Sequence, residues 1–144
     1  MKARELMTSN PECVTQEDSL QRAASIMRDR DVGAVPVVSD SASRRLVGIV
    51  TDRDIAIRHV AEGRSGDARV GDVMSKDRLA TAREDDSVDR VMELMKENKV
   101  RRIPVVGEND QIVGMIAQAD LALEARDEKK VERTLEKISE PGRK

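Results

Sequence analysis

Leu20, Ala23, Ala24 and Met27 place apolar side chains at the i, i+3, i+4, i+7 spacing that gathers on one side of a helix. Val88, Val91, Met92 and Met95 repeat the spacing 68 positions later. Asp18-Ser19 stands where side chains can cap the first of these helices. The methionines at the matched ends are expected to fill gaps in a core. Each helix is followed by a β-branched run, Ala34-Val35-Pro36-Val37-Val38 in one place and Arg102-Ile103-Pro104-Val105-Val106 in the other. Proline removes a ladder donor, so each run is expected at a strand start or a sheet edge. Different turns follow, Ser39 to Arg45 and the tighter Gly107-Glu108-Asn109-Asp110. A second apolar strand then ends at Val50 or Ile116 and leads into a further helix.

The chain therefore repeats itself. Leu46-Val47-Gly48-Ile49-Val50 returns as Ile112-Val113-Gly114-Met115-Ile116, and an aspartate lies six residues beyond each glycine, Asp54 and Asp120. Strand–helix–strand–strand–helix units predict an α+β layer, a small sheet covered by helices. Two such units folded against each other form a pseudo-twofold pair whose seam offers two related clefts. The expected boundaries are 1–66 for the first unit, 67–127 for the second and 128–144 for a helical extension and tail. A connector spans 62–69, marked by Gly63 and Gly66. From Leu121 to Ile138 the last helix is expected to continue. Val131, Leu135 and Ile138 form a thin apolar stripe there, suited to the core or to a second subunit, before Pro141-Gly142 closes it.

Composition narrows the partners. In 144 residues, 38% are apolar yet there is no Phe, Tyr or Trp, so Val, Ile, Leu, Met and Ala must build the core. Single-stranded nucleic-acid binders stack bases on aromatic rings, and none exists here. Charged residues also reach 38% but nearly cancel, to a formal net charge of −2, without the basic footprint of a nucleic-acid binder. No apolar run approaches the roughly 18–20 residues of a membrane span. The first residues hold no apolar signal-peptide core, and one cysteine makes no internal disulfide, so a cytoplasmic setting is expected. Cys13 alone and His59 alone form no His/Cys metal site.

The paired pattern of an apolar residue before Pro-Val-Val, then Gly48-Ile49-Val50-Thr51 leading to Asp54, resembles a tandem CBS (cystathionine β-synthase) domain pair, or Bateman module. Glu5-Leu6-Met7-Thr8 and Asp72-Val73-Met74-Ser75 resemble the starts of such domains. The likeness runs from about Glu5 to Arg126. It implies two β-α-β-β-α units packed through their sheets, a homodimeric disk, and a module that senses ligands rather than performing chemistry. It also implies a regulatory adenosine ligand, AMP, ADP, ATP or S-adenosylmethionine, with no obligatory cofactor. Carried over by the resemblance, the first cleft joins Gly48, Thr51, Arg53 and Asp54 to Thr81, Arg101, Arg102, Ile103 and Pro104. The second joins Gly114 and Asp120 to Cys13, Val32, Gly33, Ala34, Val35 and Pro36.

The chemistry of these residues fits such ligands. The Asp54 carboxylate can accept two ribose hydroxyls, and charged acceptors bind them more strongly than neutral ones. Thr51 opens a helix whose free N–H groups suit a phosphate. Arg101 and Arg102 carry planar donors for phosphate oxygens. Ile103, Val32 and Val35 can cover adenine without aromatic help. Structural alternatives stand beside each. Thr51 and Asp54 also fit a capping box, Arg101-Arg102 a solvated pair, and Gly33-Ala34 close packing. Cys13 aligns with Thr81, as a substitute for a hydroxyl or as a thiol in its own right. His59, beside Arg58, suits the negative end of a helix. Ala117 cannot cap through its side chain, yet Asp120 remains, which favours a ribose role for the acid. Ala117-Gln118-Ala119 lacks the hydroxyl of the first copy, and Cys13, Gly33 and Ala34 carry no charge. The first cleft is thus expected to be the stronger.

The expected function is a stand-alone regulatory module, with an unidentified protein target reading a ligand-driven shift. The alternative is a ligand-free scaffold acting through its dimer surface and C-terminal helix. An enzyme is disfavoured, since no nucleophile–base pair or glycine-rich phosphate loop occurs.

Overall fold

The computed structural model describes residues 1–64, 67–77 and 79–124. The first unit holds α1 (Ala3–Leu6), β1 (Thr8–Ser9), α2 (Leu20–Arg30), β2 (Ala34–Val38), β3 (Leu46–Thr51) and α3 (Asp52–Ile55). A π-helical turn, Ala56–Val60, continues α3, and a 3-10 turn spans Val70–Asp72. Then come β4 (Ala82–Arg83), α4 (Val88–Asn98), β5 (Arg102–Val106) and β6 (Ile112–Ala117), with residues 118–124 helical.

The helices start and stop as their local chemistry dictates. The Ser19 hydroxyl accepts the Arg22 N–H at 3.0 Å, and the Ser87 hydroxyl accepts that of Arg90 at 3.1 Å. Such caps contribute about 1 kcal/mol each. Asp31 (φ 55) and Lys99 (φ 53) end α2 and α4 in the left-handed conformation. On α2 the buried face is Leu20, Ala23, Ile26 and Met27, while Ala24 is exposed. On α4, Val91 and Met95 are buried and Met92 is 50% exposed. The expected faces were thus rotated by about one position. The helices lie on their sheets through the side that carries Ile26, so Ala24 and Met92 look outward.

β2 pairs antiparallel with β3, from Ala34 opposite Thr51 to Val38 opposite Leu46. β5 pairs with β6 in the same way, from Arg102 opposite Ala117 to Val106 opposite Ile112. Both hairpins shift register at the same place, between Val37 and Val38 and between Val105 and Val106. Pro36 stands in β2, an edge strand of a two-stranded sheet, as expected, whereas Pro104 is neither at a strand start nor in an edge strand. Pro104 is central in β5, which lies inside the four-stranded order β1-β6-β5-β4. The neighbour on that side is too short to miss a donor: β4 reaches only Val105 and Val106. In the first sheet a one-residue parallel bridge, Val14 to Val37, replaces it, and Pro36 needs only its carbonyl, which accepts the Val14 N–H at 3.0 Å.

The two units exchange their leading segments. β1 adds to the second sheet, with Thr8 opposite Met115, while Ser75 bridges Ile49 in the first. Ala3 donates to the Asp86 carbonyl at 2.8 Å, and Val88 donates to the Met1 carbonyl at 3.0 Å. Reciprocally, Leu20 donates to the Ala68 carbonyl at 3.1 Å and Val70 to that of Asp18 at 2.8 Å. The end of the connector is therefore built into the first unit. Two cores follow from this. One gathers Val14, Ala23, Ile26, Val35, Val37 and Val50 with Val70, Val73 and Met74. The other gathers Ala82, Val91, Met95, Ile103, Val105 and Ile116 with Ala3. The expected C-terminal stripe of Val131, Leu135 and Ile138, and Pro141-Gly142, lie outside the described residues.

Candidate functional site

Thr51 ends β3 and opens α3. Its Oγ1 accepts the Asp54 N–H at 3.0 Å, and Asp54 Oδ2 accepts the Thr51 N–H at 3.0 Å, so the capping box is complete. In the second copy, Asp120 Oδ2 accepts the Ala117 N–H at 2.9 Å. The acid therefore has a backbone role that needs no hydroxyl partner. Its retention beside Ala117 does not by itself argue for a ribose site, contrary to the comparison of the copies in sequence. The other Asp54 oxygen, Oδ1, lies 3.4 Å from Ser75 Oγ and 3.9 Å from Arg58 Nε.

Beside this turn opens a cleft of about 1180 Å³. Ala34, Ile49, Thr51, Asp52, Arg53 and Ala56 form the wall from the first copy. The opposite wall comes from Ser75, Asp77, Leu79 and Ala80, then residues 97–102 and Pro104. Four cations (Arg53, Lys99, Arg101, Arg102) face three carboxylates (Asp52, Asp77, Glu97), a modest positive excess suited to an anionic group. Thr51, Arg53, Arg101, Arg102 and Pro104 thus meet as the sequence placed them. The described lining does not include Gly48, Asp54, Thr81 or Ile103. Gly48 lies beneath, where a Cβ would come within 2.9 Å of the Ser75 carbonyl oxygen. Ile103 is fully buried in the second core, and Thr81 is exposed ahead of β4.

The residues assigned to the second cleft scatter more. Ala34 lines the first cleft instead. A Cβ on Gly33 would run into the Arg102 guanidinium, and the Gly33 carbonyl accepts the Asp52 N–H at 3.0 Å, so Gly33 also faces the first cleft. Val35 and Pro36 are buried in the sheet, while Val32 is 43% exposed. Gly114 makes room for the Met7 side chain, and Asp120 is occupied with Ala117. Cys13 donates to the Pro11 carbonyl at 3.2 Å. Burial raises its thiol pKa above the ordinary value, with Arg44 opposing and Glu12 adding to the effect. That thiol is poorly nucleophilic. His59 sits in the π-helical turn with Nδ1 buried and without a hydrogen-bond partner among the described residues.

Sequence reasoning missed Ser75 and Asp77, and also the end of α4, from Glu97 to Lys99. The signal for Ser75 was its match to Thr8, since both pair with the inner strand of a hairpin. The α4 residues were legible as the three positions before Val100 and Arg101.

Comparison with known proteins places this architecture. The CBS domain profile matches residues 3–59 and 70–127, one match in each half. The CBS domain-containing protein YhcV of Bacillus subtilis is 38% identical over 120 residues, covering 83% of this chain and 82% of that one. Hypoxic response protein 1 of Mycobacterium tuberculosis is 34% identical over 120 residues, with the same coverage. A crystal structure of Hypoxic Response Protein I with two coordinated zinc ions superposes with a TM-score of 0.75, covering 85% of this chain and 97% of that one. Among the described residues here, no three His, Cys, Asp or Glu side chains are grouped to hold a metal ion. The CBS domain pair of protein MJ0100, in complex with 5′-methylthioadenosine and S-adenosyl-L-methionine, superposes with a TM-score of 0.75 at 26% identity, covering 85% and 97%. With two matched halves, a shared hairpin register and these relatives, the chain belongs to the CBS domain family, as a tandem pair.

Proposed function

We propose that this CBS pair is a regulatory module that binds an adenosine-type ligand in the cleft beside Thr51 and is not an enzyme. The observation that carries the reading is the meeting of Thr51 and Arg53 from one copy with Arg101, Arg102 and Pro104 from the other around one cavity. A ligand held there touches both copies, and binding favours whichever arrangement of the two fits it best. The N–H groups of Thr51, Asp52, Arg53 and Asp54 are already bonded, so the Thr51 hydroxyl proton and the arginines supply the donors for a phosphate, the latter charge-assisted. Asp54, behind the turn, keeps Oδ1 for a ribose hydroxyl once Ser75 yields. The complex of the MJ0100 CBS pair with 5′-methylthioadenosine and S-adenosyl-L-methionine supports an adenosine-type ligand for a pair of this fold. AMP, ADP, ATP and S-adenosylmethionine are the candidates for this chain. A cytoplasmic setting and an unidentified protein target complete the reading.

A homodimer is part of the proposal. Ile57, Val60, Met92 and Leu123, none of them in the cleft lining, leave large apolar side chains exposed, between 45% and 65%. The same exposed residues favour a second reading, a ligand-free scaffold acting through that surface. Calorimetric titration of the purified protein with AMP, ADP, ATP and S-adenosylmethionine separates the two. Absence of binding by all four up to millimolar concentration overturns the sensor and leaves the scaffold.

A further inference from the structure

The cleft and the exchanged leading segment share one contact that the second copy lacks among the described residues. Arg58, in the π-helical turn, donates through Nη1 to the carbonyls of Val73 and Met74, at 3.1 and 3.3 Å. Its Nε stands 3.9 Å from Asp54 Oδ1, the atom that also faces Ser75 Oγ at 3.4 Å. The next residues of that segment, Ser75 and Asp77, line the cleft. Ser75 is held to the first sheet by a two-way bridge with Ile49, at 2.8 and 2.9 Å. A π-helical turn shifts side-chain direction relative to an α-helix, and here it carries Arg58 on the side of these carbonyls.

Among the described residues the second copy offers no counterpart. Four residues beyond Asp120, where Arg58 stands relative to Asp54, the chain has Glu124. A carboxylate has no proton to donate to a carbonyl, and repels it. The matching segment, held by the bridge of Thr8 to Met115, lies against its sheet without such a donor from that position.

We propose that Arg58 is a positioning residue that latches the segment carrying Ser75 and Asp77 onto the first cleft, so that ligand binding and the docking of this segment are one coupled equilibrium. The proposal rests on the ligand reading above. By linkage, a ligand that prefers the docked segment tightens the latch by the same factor by which the latch improves affinity. The regulated element is then the start of the second copy, reached through two backbone carbonyls rather than through the cleft floor.

The test compares wild type, Arg58→Gln and Arg58→Lys by amide hydrogen exchange and by calorimetry with AMP. In the free protein, Arg58→Gln should speed exchange at the Ile49 and Ser75 amides about three- to tenfold, with Arg58→Lys intermediate. The bridge of the second sheet, Thr8 to Met115, should be unmoved. Affinity for AMP should fall measurably, by at most that factor, in proportion to the open segment the variant populates. Unchanged exchange at Ile49 and Ser75 overturns the latch. So does equal loosening at Met115, which would mark a general loss of stability, or faster exchange with AMP affinity intact. If wild type binds no adenosine ligand, the sensor reading fails separately. Selective loosening of Ile49 and Ser75 would then still support the latch.

Discussion

The Arg102 guanidinium occupies the space that a side chain on Gly33 would need, so residues of opposite copies share one volume at the seam. What meets the missing Cβ is the far end of a flexible side chain, while the Gly33 backbone is fixed by the Asp52 N–H bond to its carbonyl. Gly33→Ala should therefore move Arg102 at little cost in stability, below about 1 kcal/mol. Affinity for AMP should fall at least threefold, and its salt dependence should flatten. Titrations at two ionic strengths check both.

Gly48 and Gly114 behave differently, because leading segments cross them. A Cβ on Gly48 meets the Ser75 carbonyl oxygen at 2.9 Å, and one on Gly114 meets Met7 Cγ at 2.7 Å. Gly48→Ala presses on backbone and should destabilise by about 1–3 kcal/mol, as overpacking does. Gly114→Ala presses on Met7 as far in as Cβ, at 2.9 Å, which follows the backbone, and should cost at least as much. Thermal denaturation of both variants ranks them.

Asp54→Ala and Asp120→Ala remove the same kind of backbone acceptor, so both should lower stability by about 1 kcal/mol. Only Asp54→Ala should also weaken AMP binding, by tenfold or more, if Oδ1 takes a ribose hydroxyl. Equal affinity in the two variants would leave the acid a purely structural role.

Cys13 ties stability to alkaline pH. Its folded pKa lies above the ordinary thiol value of 9.0, because burial disfavours the thiolate. The contribution is fully present below that value. As pH rises past 9 the unfolded chain releases a proton that the folded chain keeps, so stability declines. Denaturant unfolding at pH 8 and pH 10 should show a larger drop for wild type than for Cys13→Ser.

Much of this was legible along the chain. The repeat, both hairpins and the Ser19 cap follow from local patterning, which the folded chain obeys. So does the meeting of Thr51 with Arg101 and Arg102, through the resemblance. What escaped was set by partners far away in sequence. Ala24 fits the helical spacing as well as Ile26 does, and only the placement of α2 on its sheet chooses between them. Pro104 reads as an edge residue until the brevity of β4 is known. Ser75 and Asp77 belong to the opening of the second unit in sequence yet wall the first cleft, because the leading segments are exchanged. Asp120 suggested a ligand role only because a backbone N–H cannot be seen in a string of side chains.

The exchange of leading segments also bears on how the chain folds during synthesis. β1 finds its partner in β6, more than a hundred residues later, so it leaves the ribosome with no sheet to join. Contacts of such sequence separation slow folding. The first sheet can close once Ser75 has emerged, whereas the second must wait for Ile116. A strand made long before its sheet is among the last elements to be placed.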